Sequence, residues 1–352
     1  MSQTKTNEPN APKNSQQSDN DAPLSAKEWM RLMMAYRQPK LLRSLFEIGV
    51  TFLPFIVLCV LAYWALNISV FLSFGFSLLA AGFLVRLFII QHDCSHGAFF
   101  KQKKLNEWVG RVIGIVTMTP FSIWKRAHLT HHASSGNLEK RGIGDIHMLT
   151  VEEYKARSPK ARFFYRLYRH PLVMFLVGPV YIFLIAQRLP DKFLRKQPKY
   201  WFSAMGTNLF IASLVGAIIY FVGWKAFLMV YIPMILVAGA LGVWMFFVQH
   251  QFEDTMWDHD GKWDRNEAAI FGSSHYDLPK PLRWITGNIG IHHVHHLNSR
   301  IPFYRLTEAL RDHPKLVNVK RLTLWQSLQC TKLKLWCEEK RKLVTIKAAM
   351  AT

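Results

Sequence analysis

Three short segments of the sequence carry histidines at the spacing of successive helical turns. Residues at i, i+3 and i+4 share one face of an α-helix, with Cβ atoms about 5 to 6 Å apart. Imidazoles placed in this way can converge on a metal ion, and imidazole suits iron, zinc, copper or nickel. The three boxes are His92 and His96; His128, His131 and His132; and His292, His295 and His296. One box could be a solvated histidine tract, but three boxes with helical spacing predict a metal centre.

The number of imidazoles indicates two metal ions. His250 follows the last long apolar block and is a candidate ninth ligand. Because one ion does not bind nine imidazoles, we expect two ions with four or five imidazoles each. His293 points away from the face that its neighbours share, so it is not expected among the ligands. Five further histidines are predicted to be surface or loop residues: His147, His170, His259, His275 and His313.

Acidic residues near the boxes are candidate partners of the imidazoles. A metal-bound imidazole usually donates its other N–H to a carboxylate or a carbonyl. The candidates by proximity in sequence are Asp93, Asp145, Glu253, Asp254 and Asp277. An ordinary surface role is the alternative for each.

The composition places these boxes in a membrane protein. Half of the 352 residues are hydrophobic and 14% are aromatic, and the apolar residues form long blocks between charged segments. The formal net charge is +21, from 44 Lys plus Arg against 23 Asp plus Glu. No nucleic-acid-binding motif accompanies this charge. An excess of positive charge in an apolar chain is typical of cytoplasmic loops that face anionic lipid. The four cysteines form no CxxC pair, so free thiols are expected.

Four apolar blocks are long enough to cross a bilayer. The predicted transmembrane helices are residues 46–66, 70–90, 201–222 and 226–248. Short connections join them into two hairpins. Arg86 lies close to the end of the second helix, where its side chain is expected to snorkel to the interface. Two weaker stretches, residues 108–121 and 171–187, are predicted to lie at the membrane interface.

The charged segments set the expected orientation and domain boundaries. Nearly all Lys and Arg lie in the N-terminal, middle and C-terminal segments, which are therefore expected in the cytoplasm. Residues 1–24 are predicted to be disordered, residues 25–325 to form the membrane domain, and residues 326–352 to be a basic C-terminal tail. Ser25 and Glu28 form a possible capping box that starts a short amphipathic helix at the membrane surface. The predicted fold is all-α, with four transmembrane helices in two hairpins and a cytoplasmic helical cap that carries the boxes.

The boxes and their order resemble those of the membrane-bound fatty acid desaturases. The resemblance rests on the three boxes and on the paired spans between the second and third, and covers about residues 40–325. The strings at residues 136–145, 249–254 and 298–304 look like the bacterial and cyanobacterial Δ12 (omega-6) acyl-lipid branch. The sequence departs from the commonest third box at His293, where an apolar residue often stands.

The resemblance implies a non-haem di-iron enzyme of the bacterial inner membrane, with both termini and the active site in the cytoplasm. Such an enzyme uses dioxygen and two electrons to introduce a cis double bond into a membrane fatty acyl chain. The implied iron ligands are the eight box histidines, and relatives place one more ligand at the position of His250. No catalytic residue is expected apart from these ligands. The implied electron donor is ferredoxin, and a basic face would attract an acidic donor protein.

Two other functions fit the same histidines. A di-iron hydroxylase of an acyl or other hydrocarbon substrate would need the same ligands, because they do not decide whether oxygen is inserted. A membrane metal transporter or sensor would place ionisable residues along the middle of its spans. The predicted spans contain almost none, which favours the enzyme.

Overall fold

Four long apolar helices form the membrane layer of the structure. The computed structural model describes residues 24–142, 144–192 and 194–351, so the predicted disordered segment lies outside the described residues apart from Leu24. By length and composition, four helices suffice to cross a membrane. They are span 1 (Leu41–Ala65), span 2 (Val70–His96), span 3 (Pro198–Val222) and span 4 (Trp224–His250). Spans 1 and 2 form one hairpin and spans 3 and 4 form the other, so the predicted all-α membrane fold is confirmed.

Span 2 is the centre of this layer and extends beyond its apolar stretch. It packs against span 1, span 4 and the helix Lys103–Val116, and 56% of its apolar window is buried. The apolar span is predicted to end at residue 90, with His92 and His96 on helical turns beyond it, and the helix continues to His96 as that spacing predicts. Intrahelical hydrogen bonding does not depend on side-chain polarity, so the helix carries the first box past the apolar stretch.

Shorter helices build a cap over one end of the spans. They are Ala26–Met33, Lys103–Val116, Phe121–Ser134, Val151–Ala156, Pro159–Tyr168, Arg265–Phe271, Lys280–Ile285, His292–Leu297, Leu306–Asp312, Leu324–Cys330 and Ile346–Met350. Short 3₁₀ turns occur at Met34–Tyr36, Phe303–Arg305 and Pro314–Asn318.

The stretch predicted at residues 171–187 is helical in the structure. It runs through Val173–Arg188, mostly with π-helical geometry, and Gly178 and Pro179 do not interrupt it. The segment is bent by 59° from the preceding helix Pro159–Tyr168, and the two together are long enough for a broken span or a re-entrant loop. Its predicted position at the membrane interface stays a prediction.

The N-terminal helix packs on the cap. Its capping box is confirmed, since the Ser25 hydroxyl accepts from the Glu28 backbone N–H and the Glu28 carboxylate accepts from the Ser25 N–H. The apolar face of Trp29, Met33 and Tyr36 is buried. The helix contacts the helices Arg265–Phe271 and His292–Leu297. The face that the sequence places at the membrane surface is therefore covered by protein.

Two small sheets fasten the C-terminal segment to the cap. β1 (Leu149–Thr150) pairs in parallel with β4 (Leu335–Cys337), which pairs antiparallel with β5 (Lys342–Val344). β2 (His275–Asp277) pairs in parallel with β3 (Arg321–Thr323). Residues predicted as a basic tail are thus folded against the domain that precedes them.

The predicted snorkelling of Arg86 is wrong. Its side chain is 1% exposed and its Nη2 lies 2.5 Å from Glu47 Oε2 in span 1. Its Nε donates to Thr51 Oγ1 at 3.1 Å. A guanidinium buried in the protein needs a charged partner, and Glu47 supplies one.

Candidate metal centre

The structure brings the eight box histidines and His250 into two groups. Within each group, one imidazole nitrogen from every ring lies within 4.8 Å of the others. Group 1 contains His92, His96, His128, His132 and His295, and group 2 contains His131, His250, His292 and His296. The predicted division into four and five imidazoles agrees with this arrangement.

Each box of three histidines is shared between the two groups. His128 and His132 belong to group 1, whereas His131 between them belongs to group 2. The third box is divided in the opposite sense, with His295 in group 1 and its neighbours His292 and His296 in group 2. The expectation that the imidazoles of a box converge on one ion is therefore wrong for the second and third boxes, whereas His92 and His96 of the first box both lie in group 1. Residues i+3 and i+4 are about 100° apart around a helix, so they face different groups.

Helix ends and one short helix hold the rings in place. The first box occupies the last two turns of span 2, and His250 is the last residue of span 4. The second box lies on Phe121–Ser134 and the third on His292–Leu297. The two groups are in direct contact, because the rings of His132 in group 1 and His296 in group 2 stack with centroids 4.0 Å apart.

The spacing of the ring nitrogens suits metal coordination. The Nε2 atoms of His96 and His128 are 2.9 Å apart, and those of His132 and His295 are 3.1 Å apart. With metal–nitrogen bonds of about 2.1 Å, ligands at right angles are separated by about 3.0 Å, and tetrahedral ligands by about 3.4 Å. The observed contacts are short enough for two imidazoles to bind the same ion.

The hydrogen-bond pattern of group 2 suits a cation between its rings. His250 Nδ1 donates to the Gly272 carbonyl at 3.1 Å, and His131 Nδ1 donates to the Asp145 carboxylate. In neutral rings, both Nε2 atoms then carry lone pairs. These two atoms are 3.1 Å apart, and His250 Nε2 is also 3.0 Å from His292 Nε2. Lone pairs at this distance repel one another unless a cation lies between them.

Burial lowers the pKa of five box histidines outside the spans. Loss of water is the main cause that lowers the pKa of each of these rings well below its usual value, and neighbouring imidazoles add to the effect. This holds for His128, His132, His292, His295 and His296. Neutral imidazoles offer lone pairs to a metal ion.

Two of the five predicted acidic partners contact the imidazoles. Asp93 Oδ1 lies 3.2 Å from His92 Nδ1 in group 1, and Asp145 Oδ1 accepts from His131 Nδ1 in group 2. The other three candidates do not contact a box histidine. Glu253 pairs with Lys342, Asp277 pairs with Arg283 and Arg321, and Asp254 is exposed.

His293 is buried but belongs to neither group. Its side chain is fully buried, and its Nε2 donates to the Leu316 carbonyl at 3.0 Å. Its ring packs against that of His275, whose Nδ1 donates to the Val317 carbonyl at 2.6 Å. His275 is 2% exposed, so its predicted surface position is wrong. The two rings instead hold the segment at residues 316–317 beneath the third box.

Sequence reasoning did not identify the contributions of Gly272 and Arg169 near this site. The Gly272 carbonyl orients His250, but a backbone atom leaves no signature in residue types. Arg169 is 1% exposed and donates to Gln251 Oε1 at 2.9 Å, to the His147 carbonyl and to the Leu333 carbonyl. It lies in a basic segment, where nothing distinguishes it from a solvated arginine.

The comparisons with known proteins agree with this geometry. The fatty acid desaturase family model matches residues 68–327. A "Fatty acid desaturase" of Bacillus subtilis (strain 168) is 45% identical over 322 residues, covering 92% of this chain and 91% of its own.

Relatives with more specific names are less similar. An "sn-1 acyl-lipid omega-3 desaturase (ferredoxin)" of Synechocystis sp. is 29% identical and covers 64% of this chain and 63% of its own. An "sn-1 oleoyl-lipid 12-desaturase" of Anabaena variabilis is 26% identical and covers 72% of each chain. With two buried histidine groups at one end of four spans, and with the family match across most of its length, the chain belongs to the fatty acid desaturase family.

Proposed function

We propose that this protein is a dioxygen-dependent di-iron desaturase that introduces a cis double bond into the acyl chain of a membrane lipid. The observation that carries the proposal is the pair of buried all-imidazole groups where spans 2 and 4 enter the cap. The proposed iron ligands are the nine histidines of groups 1 and 2, with five at one ion and four at the other.

The donor set fits iron on chemical grounds. Imidazole is a suitable ligand for iron, and the contacts of about 3.0 Å between Nε2 atoms allow neighbouring rings to bind one ion. An unactivated C–H bond offers no acidic proton and no electrophilic carbon, so acid, base or nucleophilic side chains cannot start the reaction. Iron bound at these groups would supply the oxidant made from dioxygen.

The residues of this chain would position and protect that chemistry. The Asp93 and Asp145 carboxylates fix the orientation of His92 and His131, which determines where their Nε2 lone pairs point. Burial of the rings excludes water from the site. The spans give a lipid acyl chain access to the same end of the protein.

The proposed partners and location follow from charge and from the relatives. The net charge of +21 favours association with an acidic electron donor, and one relative is named as ferredoxin-dependent. We propose ferredoxin as the donor. We also propose the bacterial inner membrane, with the cap and both termini in the cytoplasm, from the distribution of Lys and Arg.

For the position of the new bond we propose Δ12 (omega-6). The strings at residues 136–145, 249–254 and 298–304 support this position, and a relative is named as a 12-desaturase. Another relative is named as an omega-3 desaturase. Product analysis therefore has to determine the position of the new double bond.

Lipid analysis in a host without polyunsaturated fatty acids tests the proposal. The chain is expressed with iron and ferredoxin supplied, and double-bond positions in the extracted lipids are determined by mass spectrometry. A diene with its new bond at Δ12 is the expected product. A bond elsewhere would reject only the position, a hydroxy acid would indicate the hydroxylase, and an unchanged profile would reject desaturation.

Two variants serve as controls in this experiment. His131→Ala removes a proposed ligand of group 2 and should abolish the product. His170→Ala changes an exposed histidine outside both groups and should leave it unchanged. Tightly held iron at about two ions per chain supports the enzyme, whereas exchangeable zinc would favour a transporter or sensor.

A further inference from the structure

A small enclosed cavity lies next to group 2. Its volume is about 10 Å³, and Asp145, His250, Met256 and Trp257 are among the residues that line it. A cavity of roughly 10 to 15 Å³ holds one water molecule if polar groups are available to it. The size of the cavity therefore admits one water and little else.

Two residues of the cavity wall each carry a buried polar atom that has no partner among the described residues. These atoms are Asp145 Oδ2 and Trp257 Nε1. The Asp145 side chain is 7% exposed and Trp257 is 5% exposed, so bulk water does not satisfy either atom. One is an acceptor and the other is a donor. A single water can donate to the first and accept from the second.

In group 1, both oxygens of the Asp93 carboxylate have a partner. Asp93 Oδ1 contacts His92 Nδ1, and its Oδ2 accepts from the Phe303 backbone N–H at 2.6 Å. Asp145 makes the same contact to His131 through Oδ1, but its Oδ2 has no such donor. Each carboxylate contacts one imidazole of its group through Oδ1. The Oδ2 atom of Asp93 also accepts a backbone hydrogen bond, whereas that of Asp145 does not.

We propose that the cavity binds one structural water, which donates to Asp145 Oδ2, accepts from Trp257 Nε1 and so holds the carboxylate on His131. Trp257 is then a positioning residue for group 2, acting through the water and Asp145. The inference rests on the proposed function only in taking group 2 to bind iron.

Solvent has a short route to this water. A larger open pocket of about 290 Å³ lies outside the cavity and is lined in part by Thr255, Met256 and Lys320. Met256 lines both spaces. Because a methionine side chain is flexible, its movement allows water to enter and leave.

The first test is a high-resolution structure of the iron-loaded wild-type protein. A water peak within hydrogen-bonding distance of both Asp145 Oδ2 and Trp257 Nε1 is expected. An empty cavity, or a protein group that bonds directly to Asp145 Oδ2, would overturn the inference. This test needs no variant and therefore does not depend on the folding of one.

The second test measures iron retention without substrate, dioxygen or electron donor. Trp257→Phe keeps an aromatic side chain but deletes the indole N–H together with part of the ring volume. Loss of a direct partner of a metal-bound imidazole costs about 10- to 100-fold in affinity, so an indirect partner should cost about 3- to 10-fold. One of the two irons should pass to a chelator faster by that factor, while the other is retained as in the wild type.

Trp336→Phe is the matched control, because Trp336 packs in the same hydrophobic cluster as Trp257 and does not line the cavity. Its iron should leave at the wild-type rate. Equal rates for the two variants would overturn the role of Trp257. Lipid analysis stays separate: a protein that makes the double bond but lacks the water rejects this inference alone, and a protein that has the water but makes no double bond rejects the proposed function alone.

Discussion

Arg86 of span 2 and Glu47 of span 1 form a buried ion pair between the two helices, with Nη2 and Oε2 2.5 Å apart and both side chains 1% exposed. Arg86 also donates to the Trp284 carbonyl and lies over the Trp284 ring. Trp284 belongs to the helix Lys280–Ile285, which precedes the third box. The pair therefore ties the first hairpin to the segment that leads into the metal centre.

Breaking this pair should destabilise the protein. Glu47→Ala leaves the Arg86 guanidinium buried without its charged partner, which costs about 3 to 5 kcal/mol. The expected result is a large fall in the thermal unfolding temperature of the detergent-solubilised protein. Arg43→Ala is the control, because Arg43 also pairs with Glu47 but is 51% exposed. Its effect should stay below about 1 kcal/mol, and similar losses for both variants would contradict the role of the buried pair.

The sequence predicts the spans and the boxes because both depend on local patterns. Apolar length identifies a helix that crosses a membrane, and histidines at i, i+3 and i+4 mark a helical face. The assignment of His131 and His295 to the opposite ion from their neighbours depends on how the helices pack. The burial of Arg86 and His275 depends on packing in the same way, since Glu47 and the Val317 carbonyl are remote from them in sequence.

His292 and His293 should differ in their effect on the metal centre. His292 belongs to group 2, whereas His293 donates to the Leu316 carbonyl and belongs to neither group. His292→Ala should lose iron from group 2 together with activity. His293→Ala should keep its iron and lose stability by about 1 to 3 kcal/mol, because a buried carbonyl is left without its donor. Iron content and thermal unfolding measure the two effects, and equal iron loss would show that the assignment of His293 is wrong.

The division of the second box between the two groups predicts how much iron each double variant retains. His128→Ala affects group 1 and His131→Ala affects group 2, so each variant should lose about one of two irons. Combining His128→Ala with His132→Ala should still leave about one iron, because both residues belong to group 1. Combining His128→Ala with His131→Ala should leave almost none. Iron analysis of the purified variants decides the matter, and equal iron content in the two double variants would contradict the division.

The stability of the iron-free protein should fall as the pH falls below 6.5. Burial lowers the pKa of His293 from 6.5 to about 3. The unfolded chain therefore binds a proton between these pH values while the folded protein does not, so unfolding is favoured as the pH falls. At pH 5.5 the His293 contribution is about 1.4 kcal/mol.

Thermal unfolding of iron-free protein at pH 7.5 and 5.5 measures this effect. Burial also lowers the pKa of His128 and His292, which add to it in the same direction. His293→Gln should reduce the difference between the two pH values. His170→Gln alters an exposed ring and should not. A difference that is the same in the wild type and in His293→Gln would rule out the contribution of His293.

The C-terminal segment should contribute to the stability of the cap through Trp336. This residue is 1% exposed and pairs with Thr150 in the β1–β4 ladder. The neighbouring Leu333 carbonyl accepts from Arg169. Trp336→Ala should therefore lower the free energy of unfolding by about 3 to 5 kcal/mol, the cost of removing a large buried aromatic ring.

Trp325 is the matched control, because it lies in the same segment and is 76% exposed. Trp325→Ala should change stability by no more than about 0.5 kcal/mol. If thermal unfolding shows no difference between the two variants, residues 326–351 behave as a tail, although their strands pair with the cap.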